Sequence, residues 1–462
     1  MAKLNKREWL VISITAIAAT GGLLFGFDTG VISGAIPFFS EFWELTDKQV
    51  EWITTAGLIG AIFGAAFSGR ITDIIGRKLV ILGAAIIFGI GALWTGWAGS
   101  PQSLLAGRLF LGIAIGISSY AVPMYIAEIA PARKRGALVS SFQLLITIGI
   151  LVSYLSDLGF ADEADLESWR PMFLVGVIPA IILFVGMIVL PETPRFLIGK
   201  GKEIKGRQIL ERLEDPDLIE SEIQKMKKDI AIEEQSASSI GALLKPGVRI
   251  ALVIGIGIMF IQQFVGINTV IYYSPKIFEN AGFDTKTQQI AASVIVGVVN
   301  VLFTIVSMMI IDRIGRRKLY FIGLTGIVIT LTGLGAMFYF QELLGDTMKY
   351  VTIGFVLGYI AFFAISLGPL GWLMISEIFP LKVRGVAMSI GALSNWLFNA
   401  IVTFTFLSLI NWLQPYGAFW LYAGVGLLGI IWGLKYIPET RGHSLEEIEE
   451  HWKKGGKPSE LR

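Results

Sequence analysis

Two residues of opposite charge stand inside otherwise apolar runs. Asp28 lies in FGFDTGVI and Arg108 in AGRLFLG. A charge at mid-helix in a membrane is costly enough to require a partner or a water-filled cavity. Burial favours the neutral form of a carboxyl, and a neighbouring guanidinium favours the ionised form. A carboxyl held between these influences can exchange a proton as water reaches it from one side and then the other. The plainer reading is a permanent salt bridge that only ties two helices together.

A second group of residues offers neutral hydrogen bonding at membrane depth. It comprises Gln143, then Gln262, Gln263, Asn268, Tyr272 and Tyr273, then Asn300, Trp372, Asn395, Trp396 and Asn399. A lone amide among helices commonly serves as interhelical glue, which suits Tyr273 and Asn399. The set as a whole is concentrated in the second half of the chain and reads as a ligand site.

A third group is repeated. EIAPARKRG at Glu128–Gly136 returns as EIFPLKVRG at Glu377–Gly385, an offset of 249 residues in a chain of 462. DIIGRK at Asp73–Lys78 returns as DRIGRR at Asp312–Arg317, and PETPR at Pro191–Arg195 as PETRG at Pro438–Gly442. FGFDTGVI at Phe25–Ile32 has a fainter echo, VGINTVIY at Val265–Tyr272. The chain is two versions of one half. Each half carries Asp73 or Asp312, Arg77 or Arg316, and Glu128 or Glu377 seven residues before Arg135 or Arg384. Loop bases follow from membrane topology, whereas acids contribute little to it. Recurring acids beside bases suggest ion pairs between span ends, and pairs that break and re-form suit a two-state gate.

The elements that position these residues are membrane helices. Only 16% of residues are charged, against roughly 25% in a soluble chain, and mean hydropathy is +0.68. A spanning helix needs about 20 mainly apolar residues. Such runs fall near 10–36, 50–68, 79–99, 102–126, 137–157 and 171–190, then near 248–275, 288–311, 319–340, 350–375, 385–410 and 416–437. The expected organisation is a six-helix bundle over 1–190, a linker over 191–247, a second bundle over 248–437 and a tail over 438–462. Of the 38 Lys and Arg residues, 32 lie in the termini and alternate loops, and five in the other loops. By the positive-inside rule both termini and the linker are cytoplasmic, and the expected location is the plasma membrane. Met1–Glu8 carries no cleavable signal, so the first span is expected to be retained. Within the linker, Glu203–Glu234 has helical apolar spacing broken at Asp215-Pro216, which predicts at least two short amphipathic helices.

Depth arithmetic places the charged pair at one level. Asp28 precedes Ile36 by eight residues, roughly 12 Å, and Arg108 follows Gln102 by six, about 9 Å, both measured from the same face.

Several functions are excluded. A net charge of +2 argues against a nucleic-acid partner. There are no cysteines, and the two histidines, His443 and His451, lie in the tail. No metal site, cofactor or catalytic constellation is therefore expected. No G-x4-G-K-[ST] loop is present to harness a nucleotide.

The doubled D-x-x-G-R-[RK] and E-x6-R-G motifs, with PETPRFL after span six and PETRG after span twelve, resemble the sugar porters of the major facilitator superfamily over essentially the whole chain. That resemblance implies an all-α membrane fold of two pseudo-symmetric six-helix bundles with alternating access to a central site. It implies that Gln143, Gln262, Gln263, Asn268, Tyr272, Asn300, Trp372 and Asn395 contact the sugar, that Phe25 and Trp396 line the cavity, and that Gly368 is a flexible site. Amides, hydroxyls and aromatic faces suit a sugar, where a phosphate or amino acid would call for fixed charge. Proton-coupled members have Asp in the position of Asp28, whereas mammalian facilitative carriers have Asn. The expected partners are thus a monosaccharide, a proton and the bilayer, with the chain acting as a monomer. A facilitative uniporter is the alternative, and a non-transporting sugar sensor a more distant one, since sensors carry longer tails. Two positions depart from relatives. Ala364 replaces a glutamate of mammalian carriers, and Ile150 stands where some pentose carriers have glutamine, which tilts the expectation toward a hexose.

Overall fold

A computed structural model describes residues 6–131, 134–235, 246–345, 347–380, 383–443 and 445–461; of Arg384 only the backbone is described. Among the described residues, eleven helices are long and apolar enough to cross a membrane. The last, Gly385–Tyr436, holds two spans. Its path breaks at Gln414, whose φ of 61° leaves the helical region one residue before Pro415. The count is therefore twelve, and the loop expected between spans eleven and twelve is a sharp bend.

Spans one to five are Lys6–Phe42, Asp47–Ile75, Arg77–Gly96, Pro101–Ile129 and Arg135–Phe160, and span six is Trp169–Val189. Spans seven to ten are Val248–Asn280, Lys286–Ile314, Arg316–Tyr339 and Thr347–Glu377. Packing repeats as the sequence does. Span one packs on five, two on four, and three on four and six; correspondingly seven packs on eleven, eight on ten, and nine on ten and twelve. Small residues let backbones approach closely. A Cβ on Gly112 of span four would lie 2.0 Å from the carbonyl oxygen of Gly57 on span two.

With twelve spans, both ends of the chain emerge on one face, called the terminal face below; the opposite is the far face. The linker forms helices Glu203–Leu213 and Ile219–Gln235 with the break at Pro216. Their apolar sides meet in a small core of Ile198, Leu210, Ile219 and Ile223. The tail is anchored too, because the Trp452 indole donates to the carbonyl of Ile378 at 3.1 Å.

The halves meet through spans one and seven, two and eleven, and five and eight. Glu51 of span two accepts from the Ser408 amide at 2.7 Å and its hydroxyl at 2.8 Å. Asn411 donates to Asp47 at 2.7 Å. Ser33 and Ser274 share a hydrogen bond of 3.1 Å, and the Tyr154 hydroxyl donates to the Ile271 carbonyl at 2.7 Å. Lys286 pairs with Glu41 at 2.6 Å, and Thr287 donates to Glu163 at 2.8 Å. These links all lie on the far side of the Phe25–Trp396 ring contact, whose centroids are 5.2 Å apart.

Candidate functional site

Asp28 and Arg108 meet. Nη1 of Arg108 donates to a carboxylate oxygen of Asp28, and the side chains are only 5% and 2% exposed. Gly57 makes room for the guanidinium, since a Cβ there would lie 3.0 Å from an Arg108 nitrogen. Arg108 also lies over the Phe173 ring at 5.8 Å, and its Nε has no hydrogen-bond partner. A small pocket opens onto the pair and is lined by Phe25, Thr29, Tyr272 and Trp396 as well. The expected cavity aromatics and Tyr272 thus sit directly against the charged pair.

The amides assemble beside a broken helix. Span ten is interrupted at Ser366, where φ is −126° and ψ −94°, and a new helix starts at Leu367. Gln262 of span seven reaches the start of that helix, its amide nitrogen lying 2.6 Å from the Leu367 oxygen and 3.1 Å from the Gly368 oxygen. Its own oxygen accepts from Asn395 of span eleven at 2.6 Å. Asn268 donates to the Gln263 oxygen at 2.6 Å. Gly371 cannot carry a side chain without displacing this arrangement, because a Cβ would come within 2.6 Å of the Gln262 nitrogen. Span seven is itself interrupted at Gly266, whose φ of 86° is left-handed. Irregular backbone at membrane depth survives where it lines a cavity or is buried in protein, and here side-chain amides satisfy it.

Five expected residues (Gln262, Gln263, Asn268, Asn395 and Gly368) therefore form one network. Gln143, Asn300 and Trp372 are not drawn into it. None of these three makes a side-chain hydrogen bond among the described residues; Asn300 is buried, and Gln143 and Trp372 are half-buried. The indole nitrogen of Trp396 is buried without a partner. Tyr273 behaves as glue, donating to the Thr403 carbonyl at 3.1 Å, and Asn399 accepts from Thr403.

At the terminal face the repeated charges form two matching clusters, each inside one half. Arg77 bridges Asp73 at 3.3 Å and Glu128 at 3.1 Å; Arg316 bridges Asp312 at 2.9 Å and Glu377 at 2.8 Å. Arg135 opens span five, but Glu128 takes Arg77 as its partner rather than Arg135, whose Nε is buried and unpaired. The side chain of Arg384 lies outside the described residues.

The PET motifs complete these clusters in a way that spacing does not disclose. Thr193 donates to Glu128 at 2.6 Å and Thr440 to Glu377 at 2.5 Å. Glu192 accepts from the Lys78 amide at 3.1 Å, and Glu439 from the Arg316 amide at 2.9 Å. Each carboxylate thus caps the exposed amides at a helix N-terminus, where negative charge is favoured. Gly76 and Gly315 hold φ of 100° and 96°, and a Cβ on either would strike the capping carboxylate. Burial pushes the Glu192 carboxyl above its ordinary value, while the Thr193 and Lys78 amides and Arg77 pull it back.

Two further carboxyls are buried within the spans, contrary to the expectation that Asp28 and Arg108 were the only charges at depth. Glu51 and Asp157 are both wholly inaccessible. Each falls at the very edge of an apolar run, Glu51 at the start of 50–68 and Asp157 at the end of 137–157.

Twelve helices in two repeated sets, meeting through spans one and seven, two and eleven, and five and eight, make this a major facilitator fold. The family model described as Sugar (and other) transporter matches residues 14–452. Over 448 residues the chain is 38% identical to the galactose-proton symporter of Escherichia coli (strain K12), covering 96% of this chain and 95% of that one. It is 38% identical over 437 residues to the D-xylose transporter of Levilactobacillus brevis, covering 93% of each. The inward open conformation of the xylose transporter XylE from E. coli superposes with a TM-score of 0.82 at 32% identity, covering 96% of this chain and 100% of that chain. The chain belongs to the sugar transporter family, and it is a transporter rather than an enzyme.

Proposed function

We propose that this chain is a proton-coupled monosaccharide symporter of the plasma membrane, with both termini in the cytoplasm, acting as a monomer by alternating access. The observation that carries the reading is the Asp28–Arg108 pair opening into the pocket that Tyr272 and Trp396 also line. Protonation of Asp28 neutralises one partner and releases Arg108. That change reaches the sugar site through Tyr272, which shares the pocket with the pair, and gives two ligands one coupled equilibrium. The amide network on spans seven, ten and eleven receives the sugar hydroxyls, and Phe25 and Trp396 offer flat faces to its C–H surface. Gln143, Asn300 and Trp372, free of internal bonds, are available to the solute. The named relatives that carry galactose and xylose support a monosaccharide, and Ile150 tilts the choice toward a hexose.

With the terminal face cytoplasmic, the inter-half links close the extracellular side, and this conformation faces inward. The two charge clusters then act as cytoplasmic latches that are drawn within each half in this state and repartnered when that side closes.

Asp28→Asn tests the coupling. Uptake driven by an imposed pH gradient falls to the passive level, while counterflow of labelled sugar persists. Concentrative uptake that survives Asp28→Asn overturns the symport reading in favour of a uniporter whose charged pair is structural. Competition of labelled uptake by glucose, galactose, xylose and arabinose identifies the sugar.

A further inference from the structure

Asp157 is a buried carboxyl that the coupling scheme does not use. It lies three residues from the far end of span five, wholly inaccessible, and among the described residues neither carboxyl oxygen has a hydrogen-bond partner. The carboxyl rests against the backbone of Gly34 on span one, where a Cβ would come within 2.4 Å of it. Gly34 is six residues beyond Asp28, about 9 Å along the helix, so the two acids occupy separate levels.

The neighbours of Asp157 seal the extracellular side. Tyr154, one turn earlier, bonds the Ile271 carbonyl across the interface, and Ser33, next to Gly34, bonds Ser274, which in turn bonds Ser293 at 2.7 Å. The charged and titratable groups around it are engaged elsewhere. Asp28 is held by Arg108, Glu41 by Lys286, and Arg170 of span six by Glu167. On span seven Tyr273 bonds Thr403, and Tyr272 faces the Asp28 pocket. Glu51, the other buried far-side acid, differs: it has Ser408 and Lys48 as donors. An ionised carboxylate with no donor in a dry interior is strongly disfavoured.

We propose that Asp157 is a second proton-binding site, a gate carboxyl that takes a proton from the extracellular side as that side closes. Resting on the alternating-access reading, the scheme is simple. When the far side opens, water reaches the Tyr154–Ser33 patch and Asp157 ionises. Closure requires the carboxyl to be neutral, so the proton enters and later leaves by the same face. It is not transported and adds nothing to the proton:sugar ratio. Its effect is to make the fraction of carriers facing inward rise as external pH falls.

The chain has no cysteines, so one reporter thiol reads the gate. Leu151 packs on Gly297 across the closed interface, and Leu151→Cys, labelled by a membrane-impermeant thiol reagent added outside, measures its opening. The test uses Asp28→Asn carriers to remove coupling, with Asp157 intact or changed to Asn. Because both carry the same thiol, the difference between their pH profiles isolates Asp157. With Asp157 present, labelling rises more steeply with pH, by up to about tenfold per unit for one proton; Asp157→Asn removes that excess. Identical profiles overturn the proposal. Should Asp157→Asn not fold, Asp157→Ser replaces it. The infrared spectrum of the parent at neutral pH gives an independent reading, and lack of a protonated carboxyl band there also overturns the proposal. Failure of the symport reading is seen separately, as undiminished concentrative uptake in Asp28→Asn, and leaves this test unaffected.

Discussion

The faint echo between FGFDT and VGINT aligns Asp28 with Asn268. In the first half the residue is an acid bonded to Arg108; in the second it is an amide bonded to Gln263. Counting 249 residues on from Arg108 reaches Leu357, which is half-buried and apolar. One inherited position has thus become half of a charged pair in one bundle and part of a neutral network in the other. The terminal-face clusters show the opposite outcome, with Arg77, Glu128, Thr193 and Glu192 reproduced bond for bond by Arg316, Glu377, Thr440 and Glu439. Among the positions compared, the halves differ at the centre and agree at the terminal-face clusters, as expected if the proposed latches serve one motion in both halves.

Removing the charge that only the first half possesses has the largest expected effect. Arg108→Leu imports the second half's residue and strands Asp28 without its cation, costing about 3–5 kcal/mol. Thermal unfolding in detergent measures this, and adding Asp28→Asn restores most of it. Additive losses in the double variant break the comparison. The converse exchange, Asn268→Asp, puts an acid into the half without an arginine. A cost of about 2–3 kcal/mol is expected, with proton dependence of uptake unchanged; a new proton-dependent step shows that the positions remain interchangeable. Gln262→Ala removes the hub of the neutral network, losing its bonds to the Leu367 and Gly368 carbonyls and to Asn395. Sugar affinity falls roughly 10- to 100-fold by equilibrium binding, whereas the pH dependence set by Asp28 persists. The smallest effect sharpens the contrast with the latches. Thr193→Val and Thr440→Val each lose one bond to a carboxylate that keeps its arginine, about 1.5 kcal/mol, and equal shifts in thermal stability are expected. A severalfold difference between them means the latches have diverged as well.

The repeat, the spans and the charged pair were legible because each leaves a linear trace. Asp28 and Arg108 were matched by counting residues from Ile36 and Gln102, and they do meet, although span one runs six residues past Ile36 to Phe42. Where the trace is not linear the reading fails. Ion pairs between span ends were expected, but spacing left open which base each acid takes: Glu128 stands seven residues before Arg135, yet it faces Arg77 from span three. Gln262 was legible as an amide at depth, but its bonds to Leu367 and Gly368 join spans 105 and 106 residues apart beside a break at Ser366 that leaves no linear trace. Glu51 and Asp157 were passed over because hydropathy fades at the ends of runs, although the spans there are long and stay packed against the other half. The bend at Gln414 looked like a loop because Pro415 interrupts the pattern either way.

Gln262 has one more consequence. Before any solute arrives, its nitrogen is held by two backbone oxygens and its oxygen by Asn395. A sugar hydroxyl entering here exchanges bonds rather than adding them, and each exchange yields only about 0.5–1.5 kcal/mol. Occupancy is therefore brief, as dissociation rate follows from such modest gains. In the proposed scheme the vacated Gln262, Asn395, Gln263 and Asn268 bond one another again, so this part of the empty site carries no unmet amides into the return step.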